Sequence, residues 1–416
     1  MLKRQFGIVV LAISLAAASL CSFAVPSYAK SLSGTPCTKI GMVMGDGPSK
    51  SIICQQAGKK KLWQPLTQLP QGNSTSSTGS SGTSPAGGIQ KCLKAPEFTA
   101  NFIDPKYVRD VTPIGEQTGA GGVIAVRSYV HPSQTYLGQQ LPIYAPVNMT
   151  LYSANYYKLA SASATYKPEY SLYFDAGCGI TVRFFHIKGV VGKVASVVPT
   201  VPSQSSAGEG VKNVSVKAGE QIGWYQLGEN SVAFDFWVDD ATVLNSFIVQ
   251  SHFVSSNALH SVCPYNFYSA DKKAIWLAKL GSPGSDPIPG TLCGSISEGI
   301  SGTAQGMWFI SANTITDQLT YDGPYQSQIM FTADAIKTIR IGGLNASGTP
   351  SQMMVSSDMP TWKNPSDVKI GDTQCWSTAQ QSVKVHVISN KAMSVLVGAG
   401  DCASLGDPES GRTYVR

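Results

Sequence analysis

Charge is scarce in this sequence. Acidic and basic residues fill 13% of its 416 positions, 25 Asp and Glu against 31 Lys and Arg. A chain so weakly charged and 43% hydrophobic is not a solvated, disordered polymer. Its formal charge of +6 is too small for this length to mark a nucleic-acid binder. Histidine is scarcer still, at five residues, which limits how many metal or acid–base sites can be assembled. No Cys-x-x-Cys pair occurs and no Cys–His cluster has zinc-finger spacing, so metal binding by thiolates is disfavoured. Also absent are a Gly-x-Ser-x-Gly nucleophile elbow, a P-loop, a dinucleotide fingerprint and a calcium loop. What remains is the composition of a secreted, β-rich protein whose activity is open.

What is present begins with an export signal. Lys3 and Arg4 precede an uncharged apolar run from Phe6 to Val25; Pro26 breaks it, and Ser27 and Ala29 supply the small residues that cleavage requires. Residues 1–29 therefore read as a signal peptide, and the mature chain as secreted or associated with the cell envelope. Left uncleaved, a run of about 20 apolar residues would span a bilayer as an anchor. Cleavage takes Lys3, Arg4 and Cys21 away, which lowers the formal charge from +6 to +4 and the cysteines from nine to eight. An even number of cysteines in an exported chain suits disulfides. Local pairing of Cys37 with Cys54, Cys263 with Cys293 and Cys375 with Cys402 leaves Cys92 for Cys178, the most economical of many connectivities.

Residues 30–70 form a small unit with two cysteines, short β-type runs and a Gly45-Asp46-Gly47-Pro48 turn, as expected of a disulfide-stapled hairpin module. Lys59, Lys60, Lys61 and Trp63 are its binding candidates, through charge and stacking on an anionic wall polymer; the simpler alternative is a solvated lysine run beside a core tryptophan. Residues 71–90 are almost wholly Gly, Ser, Thr, Pro and Ala, a flexible linker. From 91 to 255 strand follows strand, among them Met149 to Tyr157, Tyr170 to Phe174, Ile180 to Ile187 and Val232 to Val238, at the short spacing of an antiparallel sheet or sandwich. A C-terminal β-rich domain over 256–416 opens with one helix, Ser269 to Leu280. It ends in a hairpin of Ser382 to Val387 and Met393 to Val397; closed barrel and open sandwich both remain possible.

Several phrases in the central domain carry a likeness. They are Leu141-Pro142-Ile143-Tyr144-Ala145-Pro146 before Met149-Thr150-Leu151; Val182-Arg183-Phe184-Phe185-His186; Val216-Lys217-Ala218-Gly219-Glu220-Gln221-Ile222-Gly223; and Val232 to Val238. In order and spacing the segment from Val111 to Asp240 resembles the β-sheet domain of the lysostaphin-type zinc endopeptidases, which cut cell-wall peptide bridges. The small unit at 30–70 is similar to a module near the N-termini of exported actinobacterial proteins. His260-Ser261-Val262-Cys263-Pro264-Tyr265 and Gly302 to Trp308 extend the likeness to exported proteins carrying a degenerate form of that peptidase-like sheet.

The chemistry implied by the resemblance is missing. That family holds zinc with the His and Asp of H-x-x-x-D and the second His of H-x-H, leaving one position for water. Here no histidine has Asp four residues on, the H-x-H place reads Phe234-Asp235-Phe236, and the H-x-x-x-D place, Gly121 to Arg127, offers an arginine that would repel a dication. His186 alone stands where the family has a catalytic histidine, and reads as vestigial or as an ordinary strand-end residue. The expectation is therefore no metal and no cofactor.

Two further clusters stand out. Asp235, Asp239 and Asp240 read as a solvated strand end. Tyr152, Tyr156, Tyr157, Tyr166, Tyr170 and Tyr173 read first as sheet packing, with Tyr152, Tyr156 and Tyr173 as candidates to line a binding groove. The sequence as a whole points to a non-catalytic, exported protein that binds or scaffolds at the cell envelope, with peptidoglycan or an anionic wall polymer as partner, and no nucleic acid. The rival is an active wall hydrolase with a site of another kind.

Overall fold

β-Branched and aromatic residues at alternate positions, broken at short intervals by Gly, Asn and Asp, drive this chain into short antiparallel strands. The computed structural model describes residues 36, 43–45, 51–57, 60–65, 95–115, 117–118, 122–159, 165–228, 232–253, 257–281, 286–294, 296, 299–316, 321–322, 325–334, 337–346 and 349–416. The expected signal segment, Cys37, Lys59, the linker 71–90 and Cys92 lie outside these residues. The chain divides into two compact units, residues 1–83 and 84–416.

In the first unit, β1 (Val43–Gly45), β2 (Ser51–Ala57) and β3 (Lys60–Pro65) form a three-stranded antiparallel sheet in that order. The expected hairpin thus gains a third strand. Trp63 lies across from Cys54 and Lys61 from Gln56; Lys60 and Lys61 are exposed.

The second unit is built around β4 (Val108–Val111), β5 (Ser128–Pro132), β6 (Met149–Tyr157), β7 (Glu169–Asp175), β8 (Ile180–Ile187), β9 (Glu209–Val216) and β10 (Phe234–Asp240). They pair in the order β9-β6-β7-β8-β10-β5-β4, with Ser261–Val262 beside β10. A smaller sheet of Gly189–Val190, Gln221–Gln226 and Gln140–Tyr144 supplies Leu141, Ile143, Ile222 and Tyr225 to the same core. Every strand ladder among the described residues is antiparallel. One face of the large sheet buries Leu151, Leu172, Phe174, Val182, Phe184, Phe234, Phe236 and Val238 completely. Its other face carries the site described below.

The segment 257–296, placed with the C-terminal domain by sequence, packs into this first core instead. Cys263 bonds Cys293 and closes a loop of sequence separation 30 around the helix Ala270–Leu277. Ser269 precedes that helix and Asp271 sits in its first turn, where a negative charge suits the helix dipole. Trp276 turns inward and stacks on Phe102 (4.6 Å between ring centroids) and on Tyr265 (5.7 Å), and its indole N–H donates to Asn101 Oδ1 (3.2 Å). Such rings bury large apolar areas, and stacking adds about 0.5–1.5 kcal/mol per pair.

The C-terminal sheet runs Thr349–Val355, Ile339–Ala346, Tyr325–Ala333, Gly306–Phe309, Arg412–Val415, Ala392–Ala399, Gln381–Ser389, Thr373–Ser377, with Tyr321–Asp322 beside Tyr325–Ala333. Its own core gathers Trp308, Phe331, Ile341, Trp376, Val385, Val395 and Tyr414. Cys375–Cys402 ties the sheet's edge strand, Thr373–Ser377, to the loop after Ala392–Ala399. Cys178 is also disulfide-bonded.

Candidate functional site

The side-chain period of two along a strand sets the site. On β10, Phe234, Phe236 and Val238 enter the core, so Asp235, Trp237 and Asp239 stand on the opposite face. On β8 the same alternation puts Arg183 and Phe185 there, and the register pairs Phe185 with Asp235 and Arg183 with Trp237. At His186 the alternation breaks. The β7–β8 register shifts between Tyr170↔Ile187 and Leu172↔Phe184, so Phe185 and His186 together oppose one residue, a β-bulge. His186 takes a left-handed φ of 65°, a strained conformation for a residue with a Cβ. The bulge returns Ile187 to the core and aims the imidazole at Glu169 and Asp235.

Glu169, fully buried, is the hub. Its Oε1 lies 2.6 Å from His186 Nδ1 and accepts from the hydroxyls of Tyr157 (3.3 Å) and Tyr166; its Oε2 lies 2.6 Å from Lys188 Nζ. Burial would raise this carboxyl, but the His186 hydrogen bond and charge, with Lys188 and Tyr166, pull it down to about 2. His186 responds in the opposite sense. Burial disfavours its charge, yet the Glu169 hydrogen bond and the Asp235 carboxylate raise it above its ordinary value. Burial and Glu169 also push the Tyr157 and Tyr166 hydroxyls up, keeping them protonated donors.

Beyond His186 the network continues. His186 Nε2 is 3.8 Å from Asp235 Oδ2, which lies 2.6 Å from Arg127 Nε. A parallel cluster pairs Arg183 Nη2 with Asp239 Oδ2 (2.5 Å), while Trp237 Nε1 and Ser261 Oγ each lie 2.8 Å from Asp239 Oδ1. Both guanidiniums sit over the Trp237 ring, Arg183 at 4.3 Å and Arg127 at 5.8 Å.

This corrects the reading of Asp235, Asp239 and Asp240 as a solvated strand end. Asp235 is fully buried and Asp239 is 7% exposed, because both face the cationic side of the sheet; only Asp240 does turn work, accepting from Thr242 N (2.8 Å). The structure also separates the tyrosines. Register 170↔156 puts Tyr156 and Tyr170 on the face of Leu172, where their rings stack at 4.5 Å, whereas Tyr173 faces the other way with Phe185. Tyr156 therefore does not share a groove with Tyr173. Tyr152 is half-buried; burial raises its hydroxyl and the Arg183 charge opposes that.

Next to this network lies a cleft of about 570 Å³, floored by Trp237, Phe185 and Tyr173 and walled by residues 205–208. Asn155, 2% exposed, holds the wall: its Nδ2 is within 2.9 Å of Ser203 Oγ, Ser205 O and Ala207 O. Ser171 Oγ donates to Ser206 O (2.9 Å). Gly208 lies so close that a Cβ would come 2.4 Å from Ser153 Oγ and 2.5 Å from the Tyr173 ring. Asn155→Ala is expected to cost about 1–3 kcal/mol by orphaning these carbonyls. Faster amide exchange confined to 203–208 would check it; unchanged exchange there would show that Asn155 does not hold the wall.

The zinc implied by the sequence resemblance does not fit these residues. Phe234 and Phe236 point into the core, Asp235 is occupied by the Arg127 guanidinium, and His186 Nδ1 is taken by Glu169. Among the described residues no group of three His, Cys, Asp or Glu is arranged to hold a metal ion. Sequence reasoning missed Glu169, Lys188 and the constructive role of Arg127. The available signal was a carboxylate and a lysine in otherwise apolar strand sequence, each of which needs a buried partner.

No family model and no curated protein matches the chain. Among solved structures, the solution structure of lysostaphin is similar at 12% identity, covering 79% of this chain and 92% of that one, with a TM-score of 0.23.

Proposed function

We propose that this chain is an exported, non-catalytic protein of the cell envelope, which uses a peptidase-like sheet to bind wall material without cutting it. One observation carries the reading. Phe234 and Phe236, at the sequence places of the H-x-H histidines, are buried in the core, and Arg127, in the sequence place of H-x-x-x-D, is ion-paired with Asp235 at 2.6 Å. A fixed cation beside the carboxylate repels a dication and removes the Lewis acid on which such hydrolysis depends. His186, locked between Glu169 and Asp235, has no activated water to serve. The proposed partner is peptidoglycan or an anionic wall polymer, reached through the cleft and through Lys60 and Lys61 of the small unit.

Co-sedimentation with isolated cell walls tests the proposal. The mature chain is expected to pellet with the walls, and removal of residues 30–70 to weaken retention. Pelleting no greater than that of an unrelated protein of equal charge would overturn it.

A further inference from the structure

Among the described residues lining the cleft, the only charged side chains are Arg127 and Arg183. Their carboxylate partners lie behind them: the Asp235 and Asp239 side chains are 1% and 10% exposed, the arginine side chains 27% and 18%. Each ion pair is neutral as a unit, yet its cationic edge faces the cleft. Among the described residues, buried Arg183 Nε has no hydrogen-bond acceptor. The floor is apolar, with Phe185 edge-on to the buried Trp237 (5.8 Å) and Tyr173 edge-on to Phe185 (5.4 Å). The volume falls within the roughly 300–1,000 Å³ of small-molecule sites.

We propose that this cleft binds an organic carboxylate with a flat apolar body, its two oxygens on the edges of Arg127 and Arg183 and its body against Phe185 and Tyr173. The proposal rests on the groove being a binding surface and adds the class of ligand. A planar guanidinium matches a carboxylate with parallel N–H donors, and Arg183, stacked on Trp237, is held in orientation before the ligand arrives. A bare inorganic anion would use the charge and leave the aromatic floor uncovered.

Calorimetric titration of the mature protein with N-benzoylglycine, its neutral amide and inorganic phosphate tests this. The acid is expected to bind at least about tenfold more tightly than the amide or phosphate, and to weaken as salt screens the guanidiniums. Arg183→Gln is expected to lose about tenfold in affinity for the acid; Asp239 keeps Trp237 Nε1 and Ser261 Oγ. Equal binding of acid and amide, phosphate binding as well as the acid, an unaffected Arg183→Gln, or no binding of any probe would each overturn the proposal. If that variant does not fold, acid against amide on the unaltered protein decides. Wall retention on the same preparation separates the two readings. Walls held without probe binding sink the carboxylate cleft alone, and probe binding without retention sinks the wall reading alone.

Discussion

Glu169→Gln is expected to destabilise the protein by about 3–5 kcal/mol, the cost of breaking a buried ion pair from one side. The Lys188 side chain is 1% exposed and, among the described residues, Glu169 is the one carboxylate paired with it. The variant leaves an ammonium in the interior with a neutral amide for a partner, and weakens the acceptor that fixes His186. Urea denaturation measures the loss. Adding Lys188→Met to Glu169→Gln should recover a large part, because the orphaned charge is then gone. A loss below about 1 kcal/mol, or no recovery in the double variant, would show that the network is decorative.

The same carboxyl sets the acid limb of stability. Glu169 is held at about 2 against an ordinary 4.5, so its contribution is fully present above pH 4.5 and is lost as pH falls toward 2. A shift of that size corresponds to something on the order of 3 kcal/mol. His186 runs the other way. Its value is raised above 6.5, so its contribution is complete below pH 6.5 and is lost as pH rises through the raised value. His252 opposes it near neutrality. Burial lowers its value despite the hydrogen bond to Thr314 O, so its contribution is present above pH 6.5 and is lost as pH falls. Stability measured from pH 7 to pH 2 should therefore show a steep loss below 4.5 that flattens in Glu169→Gln. An equally steep limb in the variant would place the acid sensitivity elsewhere.

The strands were the legible part of this chain. Met149–Tyr157 and Ile180–Ile187 begin and end where β-branched and aromatic runs meet turn residues. The site was less legible, because its geometry depends on a bulge. Strict alternation along β8 assigns His186 to the core face, and only the register shift brings it to Glu169, 17 residues away in sequence. Asp235 and Asp239 looked solvated because their partners, Arg127 and Arg183, come from other strands and loops. Tyr156 and Tyr173 looked like neighbours in one groove until the β6–β7 register put them on opposite faces. The misplaced segment 257–296 has a similar cause. Trp276 reaches its core through Phe102 and Asn101, contacts that no local pattern announces.

On the proposed reading, core phenyl rings and an ion-paired guanidinium stand at the sequence positions where a wall-cutting sheet would carry its metal ligands. Metal analysis of the purified mature protein after zinc loading, with release of soluble fragments from isolated walls followed on the same sample, tests it most directly. The expected result is far less than one equivalent of zinc, no fragment release and wall retention that a chelator does not change. One tightly held zinc per chain, with fragment release that a chelator abolishes, would contradict it.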